Sequence, residues 1–440
     1  MRQWTGWLLA ALAVALLASV ALARLTVPGD QYGDLSPDAL DRYVVFALAA
    51  GAVYLAGVAV VRAWAVPRWA LAVGLLAGLL ARGVMVVTPP VMSTDLYRYV
   101  WDGRVQAAGI NPYRYIPADP ALAFLRDGLT GPSAVFINMN RPETARTIYP
   151  PAAQWLFAAI GQIASSVWTV KWTMLAMDVI AGVAAWGLLR MAGRPAAWLL
   201  IWAWNPLAIM EFSGAGHIDA AAMAASAVAL LLAARGRAGA AGAALGVAVL
   251  FKLLPAALGP AIWRPRGIRA PAAALAVIAA GYATYASAGP YLLGYLSGYA
   301  QEEQLEEGGG FLLLRLLALA GKLPEWAGLV YAVAGLAVLA GLTLHVVRRE
   351  GPARADVIAR DALVLSAGLL VTLSPHYPWY LTMLIVPAVV VPSFGALWPT
   401  VAGPLLYWDG GLAGPWWAAI VFGPVALWLI SEVLRGIEHA

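Results

Sequence analysis

The sequence predicts an all-α, polytopic membrane protein. Its 440 residues are 62% hydrophobic and only 12% charged, and the mean hydropathy is +0.76. Apolar runs of about 20 residues recur along the chain, and this is the length that the hydrocarbon core of a bilayer requires. These runs are continuous in Leu, Ala and Val, which favours helices, because barrel strands would alternate apolar with polar residues.

About twelve membrane crossings are expected from the apolar runs and from the basic residues between them. The predicted spans lie near 4–23, 43–62, 69–89, 170–189, 196–213, 218–234, 270–288, 325–347, 361–373, 379–395, 397–413 and 416–434. Two further segments are expected to enter the membrane without crossing it, 149–168 as a half-helix and 239–263 as a hairpin. The first span is too long for the apolar region of a signal peptide.

The charge distribution predicts the orientation of these spans. Arg62 and Arg68 flank a short connection, which the positive-inside rule assigns to the cytoplasm. Asp95 and the long polar connections then lie outside, and both termini lie in the cytoplasm. We therefore expect one integral membrane domain over 1–440, with a first large external loop at 91–148 and a second at 289–310. The net charge of +5 reports topology rather than nucleic-acid binding, and the absence of cysteine excludes disulfides and thiolate metal sites.

A charged stretch, "MSTDLYRYVWDGRVQAAGINPYRYIP", begins the first external loop at residue 92. Its pattern predicts an amphipathic interfacial helix over 95–108, with Asp95, Arg98 and Asp102 on one face. Arg98 could simply pair with both acids. Asp95 lies in the first turn, however, where the helix dipole favours an ionised carboxylate that can accept a proton.

Several motifs together resemble a known family. "DLYRYVWDGRVQAAGINPYRYIP", "YPPAAQWLF", "GHIDAAAMAASAVALLL", "GAALGVAVLFKLLP" and "SPHYPWYL" occur in that order. They are similar to motifs of bacterial polyprenyl-phosphate-sugar-dependent glycosyltransferases of the GT-C fold, particularly the mannosyltransferases. Two spans precede the acidic loop here, which departs from the simplest pattern of that family. The resemblance implies that an acidic residue in the first large external loop is the catalytic base, and the matching residue is Asp95.

The chemistry of a polyprenyl-phosphate donor agrees with a single carboxylate. The leaving phosphate is a stable anion and needs no general acid, whereas glycosidases divide the work between two carboxylates. Asp95 would deprotonate the acceptor hydroxyl as that oxygen attacks the anomeric carbon, with inversion. Asp102 is the competing candidate for the base, although it could instead orient Arg98 or bind sugar hydroxyls.

The remaining candidate residues would hold the donor and the acceptor. Cationic donors suit the leaving phosphate, and the candidates are Arg98, Arg104, Arg114 and His376. Candidate substrate contacts are Asp102, Trp101, Tyr149, His217, Asp219, Lys252, Trp379 and Tyr380. Each has a plainer alternative: interfacial arginines bind lipid headgroups, Asp219 could cap a helix, and Lys252 could pair inside the membrane with Asp178 or Glu211. No metal or other cofactor is expected.

The sequence thus predicts an inverting glycosyltransferase. It would move a monosaccharide, mannose by resemblance, from a polyprenyl phosphate to a lipid or glycan acceptor on the outer face of the bacterial cytoplasmic membrane. Membrane lipids are expected partners and nucleic acid is not. A lipid flippase or transporter, or an oligosaccharide polymerase or ligase, would share the composition, but a transporter would more often show internal repeats. A nucleotide-sugar enzyme is disfavoured, because no cytoplasmic connection is long enough to form a nucleotide-binding domain.

Overall fold

The computed structural model describes residues 2–29, 35–128, 135–263, 267–295, 298, 309–349, 352–408 and 415–438. Helices of nine or more residues are numbered in chain order: α1 (Arg2–Leu25), α2 (Pro37–Ala63), α3 (Arg68–Val86), α4 (Asp95–Ala107), α5 (Pro151–Ile163), α6 (Val167–Met191), α7 (Asp219–Ala234), α8 (Ala238–Phe251), α9 (Arg269–Ala283), α10 (Ala327–Arg348), α11 (Ala355–Leu373), α12 (Phe394–Ala402) and α13 (Trp416–Glu438). Shorter helical turns connect them. Most of the predicted second external loop, and residues 264–266 and 409–414, lie outside the described residues.

Within the described residues, six helices are long and apolar enough to cross a membrane, namely α1, α2, α3, α6, α10 and α13. Large apolar side chains on these helices remain exposed, among them Trp7, Val183 and Leu336, as expected of surfaces that face lipid. Shorter apolar helices pack among them around one continuous core that extends from Leu9 to Leu429. The predicted all-α, multi-pass fold is confirmed, whereas the count of about twelve crossings stays a prediction.

Three of the predicted spans are not single helices. Residues 196–213 form short pieces that include the turn Pro206–Ala208 and the π-helix Ile209–Gly214. Pro206 has no N–H to continue a helix, and the side chain of Asn205 accepts a hydrogen bond from the backbone N–H of Ala208 instead. Residues 379–395 and 397–413 are likewise interrupted, by Pro378–Leu384 and Gly403–Trp408. Broken helices are tolerated at membrane depth where protein covers them.

A fully buried ion pair joins the broken segment to the long helices. Arg82 of α3 donates from Nε to Asp178 of α6 at 2.6 Å, and both side chains are fully buried. The guanidinium also donates to the carbonyl oxygens of Trp202 and Ala203, while the indole of Trp202 donates to Asp178 at 2.7 Å. Because the hydrogen-bonding groups are matched, these two charges are stable in an apolar interior.

The segment 239–263 reverses direction at Lys252. Helix α8 ends at Phe251, Lys252 is extended, and the turn Leu254–Leu258 and helix Gly259–Trp263 follow. The 14 residues of α8 rise about 21 Å at 1.5 Å per residue, which is less than the thickness of a bilayer core. This reversal fits the predicted hairpin, and it brings Lys252 to its apex.

Helix α4 begins and ends within one residue of the predicted bounds. It differs from the expected interfacial helix because nine of its 13 residues are buried, including Arg98, Trp101 and Asp102. The neighbouring α5 and the turn Val135–Asn138 pack over it. Gly103 and Gly161 lie at the crossing of α4 and α5, where a Cβ on either residue would collide with the backbone of the other helix. Protein therefore encloses α4 and fixes its position.

We predict that Gly103→Ala destabilises the fold by about 1–3 kcal/mol, because the added methyl group forces α4 away from α5. Gly83→Ala is the matched control, since Gly83 also lies in a helix but its Cβ would meet no atom within 4 Å. Thermal unfolding of the purified variants in detergent measures the difference. Equal melting temperatures for the two variants would contradict the close packing of α4 on α5.

Candidate functional site

A cavity of about 300 Å³ lies between the start of α4, the segment that leads into α5, the reversal at Lys252 and the segment before Pro378–Leu384. Seven of the thirteen predicted site residues line it: Asp95, Arg98, Tyr149, Lys252, His376, Trp379 and Tyr380. These residues are as many as 285 positions apart in the sequence (380 − 95). The fold therefore brings the motifs of the sequence together at one place.

Asp95 is the one carboxylate among the described lining residues. It is the first residue of α4, and its backbone N–H donates to the hydroxyl of Ser93 at 3.2 Å. Its Oδ1 accepts a hydrogen bond from the side-chain amide of Asn140 at 3.5 Å. Asp95 is half-buried, so its carboxylate faces the cavity without being enclosed. A hydroxyl group in the cavity could reach it.

Arg98 is held by Asp102, one turn further along α4. Its Nε donates to Oδ1 of Asp102 at 2.9 Å, and Nη1 donates to the carbonyl oxygen of Ala145 at 3.0 Å. The other carboxylate oxygen of Asp102 accepts from Gln154 at 2.8 Å. Asp102 is buried and does not line the cavity, so it is not placed to contact a substrate there. Its geometry fits the alternative that it orients Arg98.

Two of the predicted phosphate ligands lie away from the cavity. Arg104 is on the far turn of α4 and donates to the carbonyl oxygen of Leu125. The guanidinium of Arg114 lies 5.7 Å from the ring centroid of Tyr115. Neither lines the cavity, so the structure does not place either of them beside a donor phosphate there.

Two predicted substrate contacts are also covered by protein. Trp101 is 1% exposed and packs against Phe136. His217 is 1% exposed, 3.1 Å from a carboxylate oxygen of Glu211, and its ring centroid lies 4.0 Å from that of Trp379. His217 is therefore enclosed by protein and packs against Trp379, and neither Trp101 nor His217 lines the cavity.

Lys252 pairs with Asp219, which corrects the expected pairing with Asp178 or Glu211. Its Nζ lies 2.7 and 2.8 Å from the two carboxylate oxygens of Asp219, and 4.0 Å from the ring centroid of Tyr380. The pairing is possible because the reversal after α8 brings Lys252 to the first residue of α7. Asp219 does not line the cavity. Lys252 does, so part of its cationic surface faces that space.

Aromatic side chains form one wall of the cavity. The rings of Tyr377 and Trp379 are stacked, with centroids 4.5 Å apart and planes 7° apart. Tyr149 forms another part of the lining. Burial, and then the nearby charge of Asp95, raise the pKa of the Tyr149 hydroxyl well above its usual range. Tyr149 therefore stays protonated, and flat aromatic faces beside polar groups suit a sugar ring.

Several polar lining residues were not predicted from the sequence, among them Asn140, Arg141 and Arg146. They precede the "YPPAAQWLF" motif within the same external loop, and the run of charges in "RPETAR" was the available signal. Arg141 has a positive φ of 51°, as does Met92, another lining residue, at 70°. Such backbone is strained for residues other than glycine and concentrates at functional sites.

An apolar groove continues from the cavity between α7, the turn Leu254–Leu258 and the segment Pro378–Val390. Its lining includes Ala222, Met223, Leu258 and Val386. Lys252 and Tyr380 line both the groove and the cavity, so they mark the junction of the two. The groove encloses only about 30 Å³, so a long apolar chain could lie along its lining but would not be enclosed by it, and a charged head group could reach the cavity near Lys252.

We predict that Asp102→Asn destabilises the protein by about 3 kcal/mol, because a buried guanidinium is left without its carboxylate. Asp127→Asn is the control from the same loop: the pair between Arg126 and Asp127 is exposed, and its loss is expected to cost less than about 1 kcal/mol. Thermal unfolding in detergent compares the two. Similar melting temperatures would show that Asp102 contributes no more than a surface pair.

Comparison with known proteins identifies the family. The model of the MptA_B family, described as Alpha-(1->6)-mannopyranosyltransferase, N-terminal domain, matches residues 4–264. No curated protein and no solved structure matches the chain. The match covers more than half of the 440 residues and includes Asp95, Arg98, Tyr149 and Lys252. The chain therefore belongs to the alpha-(1->6)-mannopyranosyltransferase family and is a multi-pass membrane glycosyltransferase.

Proposed function

We propose that the protein transfers mannose from a polyprenyl-phosphate mannose to a hydroxyl group of a lipid or glycan acceptor, with Asp95 as the base. One observation carries the proposal: the single carboxylate among the described lining residues shares a cavity with several cations, and an apolar groove adjoins that cavity at Lys252 and Tyr380. The carboxylate, the cations and the groove match an acceptor hydroxyl, a leaving phosphate and a lipid chain, respectively.

The reaction requires one bond to form and one to break. The acceptor oxygen attacks the anomeric carbon from the face opposite the phosphate, and its proton passes to the carboxylate of Asp95. The bond between that carbon and the phosphate oxygen breaks, and its electron pair leaves with the polyprenyl phosphate. Attack from the opposite face inverts the anomeric configuration. The departing anion needs no proton, which fits a cavity with one described carboxylate.

The cations of the cavity can stabilise the charge that develops on the leaving phosphate. Lys252 lies where the groove meets the cavity, and Arg141, Arg146 and His376 also line the cavity. Arg98 is held in a fixed orientation by Asp102. Preorganised cations in a partly enclosed site lower the barrier, because they need not reorganise as the charge forms. We therefore assign the phosphate of the donor to this group.

The groove supports a lipid-linked donor. A polyprenyl chain is apolar and would lie against side chains such as Met223, Leu258 and Val386. A nucleotide would place its polar base and ribose on the same apolar surface, at a cost in desolvation. We infer that the donor enters the site from the membrane.

The orientation of the site follows from the basic ends of the helices. Only residues 64–67 separate α2 from α3, and Arg62 and Arg68 flank this connection. On the positive-inside rule the connection is cytoplasmic, and α3 then leads across the membrane to α4 and Asp95. We propose a bacterial cytoplasmic membrane, with the site and the acceptor on its outer face.

We predict that Asp95→Asn lowers the transfer rate by about 10²–10⁴-fold, the usual contribution of a general base. Asparagine keeps the size of the side chain but cannot take the proton. The assay supplies purified protein with polyprenyl-phosphate mannose and membrane glycolipid acceptors, and it detects the mannosylated product. Asp127→Asn, a change at an exposed carboxylate of the same loop, is expected to leave the rate unchanged.

Full activity of Asp95→Asn would overturn the assignment of the base. Wild-type protein that moves lipid across a vesicle membrane without transferring mannose would instead favour a flippase. Transfer from a nucleotide sugar, with none from the lipid-linked donor, would contradict the proposed donor.

A second prediction concerns the groove. Ala222→Phe fills part of its lining and is expected to raise the KM for a long-chain donor about tenfold. A donor with a single prenyl unit can contact only a small part of the groove lining, so its KM should change little. Ala240→Phe, at an exposed position of α8, is the control. Equal effects of Ala222→Phe on both donors would show that the chain binds elsewhere.

A further inference from the structure

The pair between Asp219 and Lys252 lies at the junction of groove and cavity. Both carboxylate oxygens accept hydrogen bonds from Nζ, and the ring of Tyr380 covers the ammonium from another side. The side chain of Asp219 is 8% exposed and that of Lys252 is 20% exposed. The ammonium is therefore shared: it is already neutralised by one carboxylate, and it still faces the space where a lipid phosphate would lie.

The substrate and the product of the proposed reaction differ in charge at that phosphate. The donor is a phosphodiester with one negative charge. The released lipid is a phosphomonoester, which carries about 1.5 to 2 negative charges at pH 7 because its second pKa is about 6. Nζ of Lys252 has a third N–H beyond the two that it donates to Asp219. A phosphate oxygen that accepts this N–H would lie close to the carboxylate of Asp219. Repulsion by this fixed negative charge is then stronger for the product than for the donor.

We propose that Asp219 limits the charge of the lipid phosphate that Lys252 accepts, so that the site prefers the singly charged phosphodiester and expels the doubly charged phosphomonoester. The inference rests on the proposed function, since it assumes that a lipid phosphate binds at the junction. Asp219 is a specificity-determining residue in this scheme. It contacts Lys252 and takes no part in the bond changes at the sugar.

The position of Asp219 suits this role. It is the first residue of α7, where the dipole of a 16-residue helix stabilises an ionised carboxylate. Two hydrogen bonds to Lys252 hold the carboxylate in place. A phosphate that binds Lys252 therefore cannot push the carboxylate of Asp219 into solvent unless both of these hydrogen bonds break. A structural pair alone would not require the cation to line two cavities, as Lys252 does.

The test compares a long-chain polyprenyl phosphate with its methyl ester, which has one added methyl group and therefore a single negative charge. Their dissociation constants are measured with the full-length protein in detergent at pH 7.5, by equilibrium binding. Wild-type protein is expected to bind the methyl ester more tightly. Asp219→Asn should shift the ratio of the two dissociation constants at least about tenfold toward the phosphomonoester, because one full negative charge is removed beside the phosphate.

Three variants complete the experiment. Asp219→Glu keeps the charge and should keep the wild-type ratio. Asp361→Asn removes another buried carboxylate that is paired with an arginine, Arg349, and should leave the ratio unchanged. If Asp219→Asn does not fold, Asp219→Ser removes the charge with a residue that suits the start of a helix.

An unchanged ratio in the Asp219 variants would overturn the inference while leaving the proposed reaction intact. If wild-type protein binds both lipids but transfers no mannose from the lipid-linked donor, the proposed function fails and the charge preference is still measured. Wild-type protein that binds neither lipid would overturn both. In a transferring enzyme, Asp219→Asn should also show stronger inhibition by polyprenyl phosphate, with a smaller change in the KM of the donor.

Discussion

The requirement that every charge away from water be matched determines how this apolar chain is built. Arg82 is paired with Asp178 and donates to nearby carbonyl groups, and Lys171 donates to the backbone at the end of α3. These interactions hold helices together, and both cations are fully buried, away from the cavity. Arg98 and Lys252 are matched as well, by Asp102 and Asp219, but both cations also line the cavity. A cation is thus structural where its partners enclose it, and it is a candidate for binding substrate where part of it still faces the cavity.

Interruptions of helices bring the remaining site residues to the cavity. Lys252 follows the end of α8, Asp219 begins α7 after the π-helix Ile209–Gly214, and His376 precedes the turn Pro378–Leu384. A continuous membrane helix satisfies its own backbone and points its side chains at neighbouring helices or lipid. Where a helix ends inside the protein, its terminal residues can instead face an internal space. The broken spans are therefore the places where an otherwise apolar fold can present polar chemistry.

The fold class and the helix at Asp95 could be predicted because they depend on local composition and spacing. The seven residues that the fold gathers around one cavity lie in the motifs that resemble a known family, and the resemblance is what pointed to Asp95 as the base. Helical periodicity correctly grouped Arg98 with Asp102. It could not show that α5 would cover α4, since that contact depends on Gly103 and Gly161, which are far apart in the sequence. The partner of Lys252 was missed for a similar reason: it depends on where α8 ends relative to the start of α7.

Asp95 and Asp219 are the two carboxylates nearest to the site, and their surroundings differ. This difference explains how two negative charges at one site could have separate roles. Asp95 faces the cavity beside the amide of Asn140, so it is placed to receive a proton. Asp219 is bonded to Lys252 where the groove meets the cavity, so in the proposed reaction its charge would act on the phosphate of the donor. On that proposal, the proton is taken at one end of the reacting bonds and the leaving charge is limited at the other. A transferase needs both effects, because transfer ends only when the anionic lipid has left.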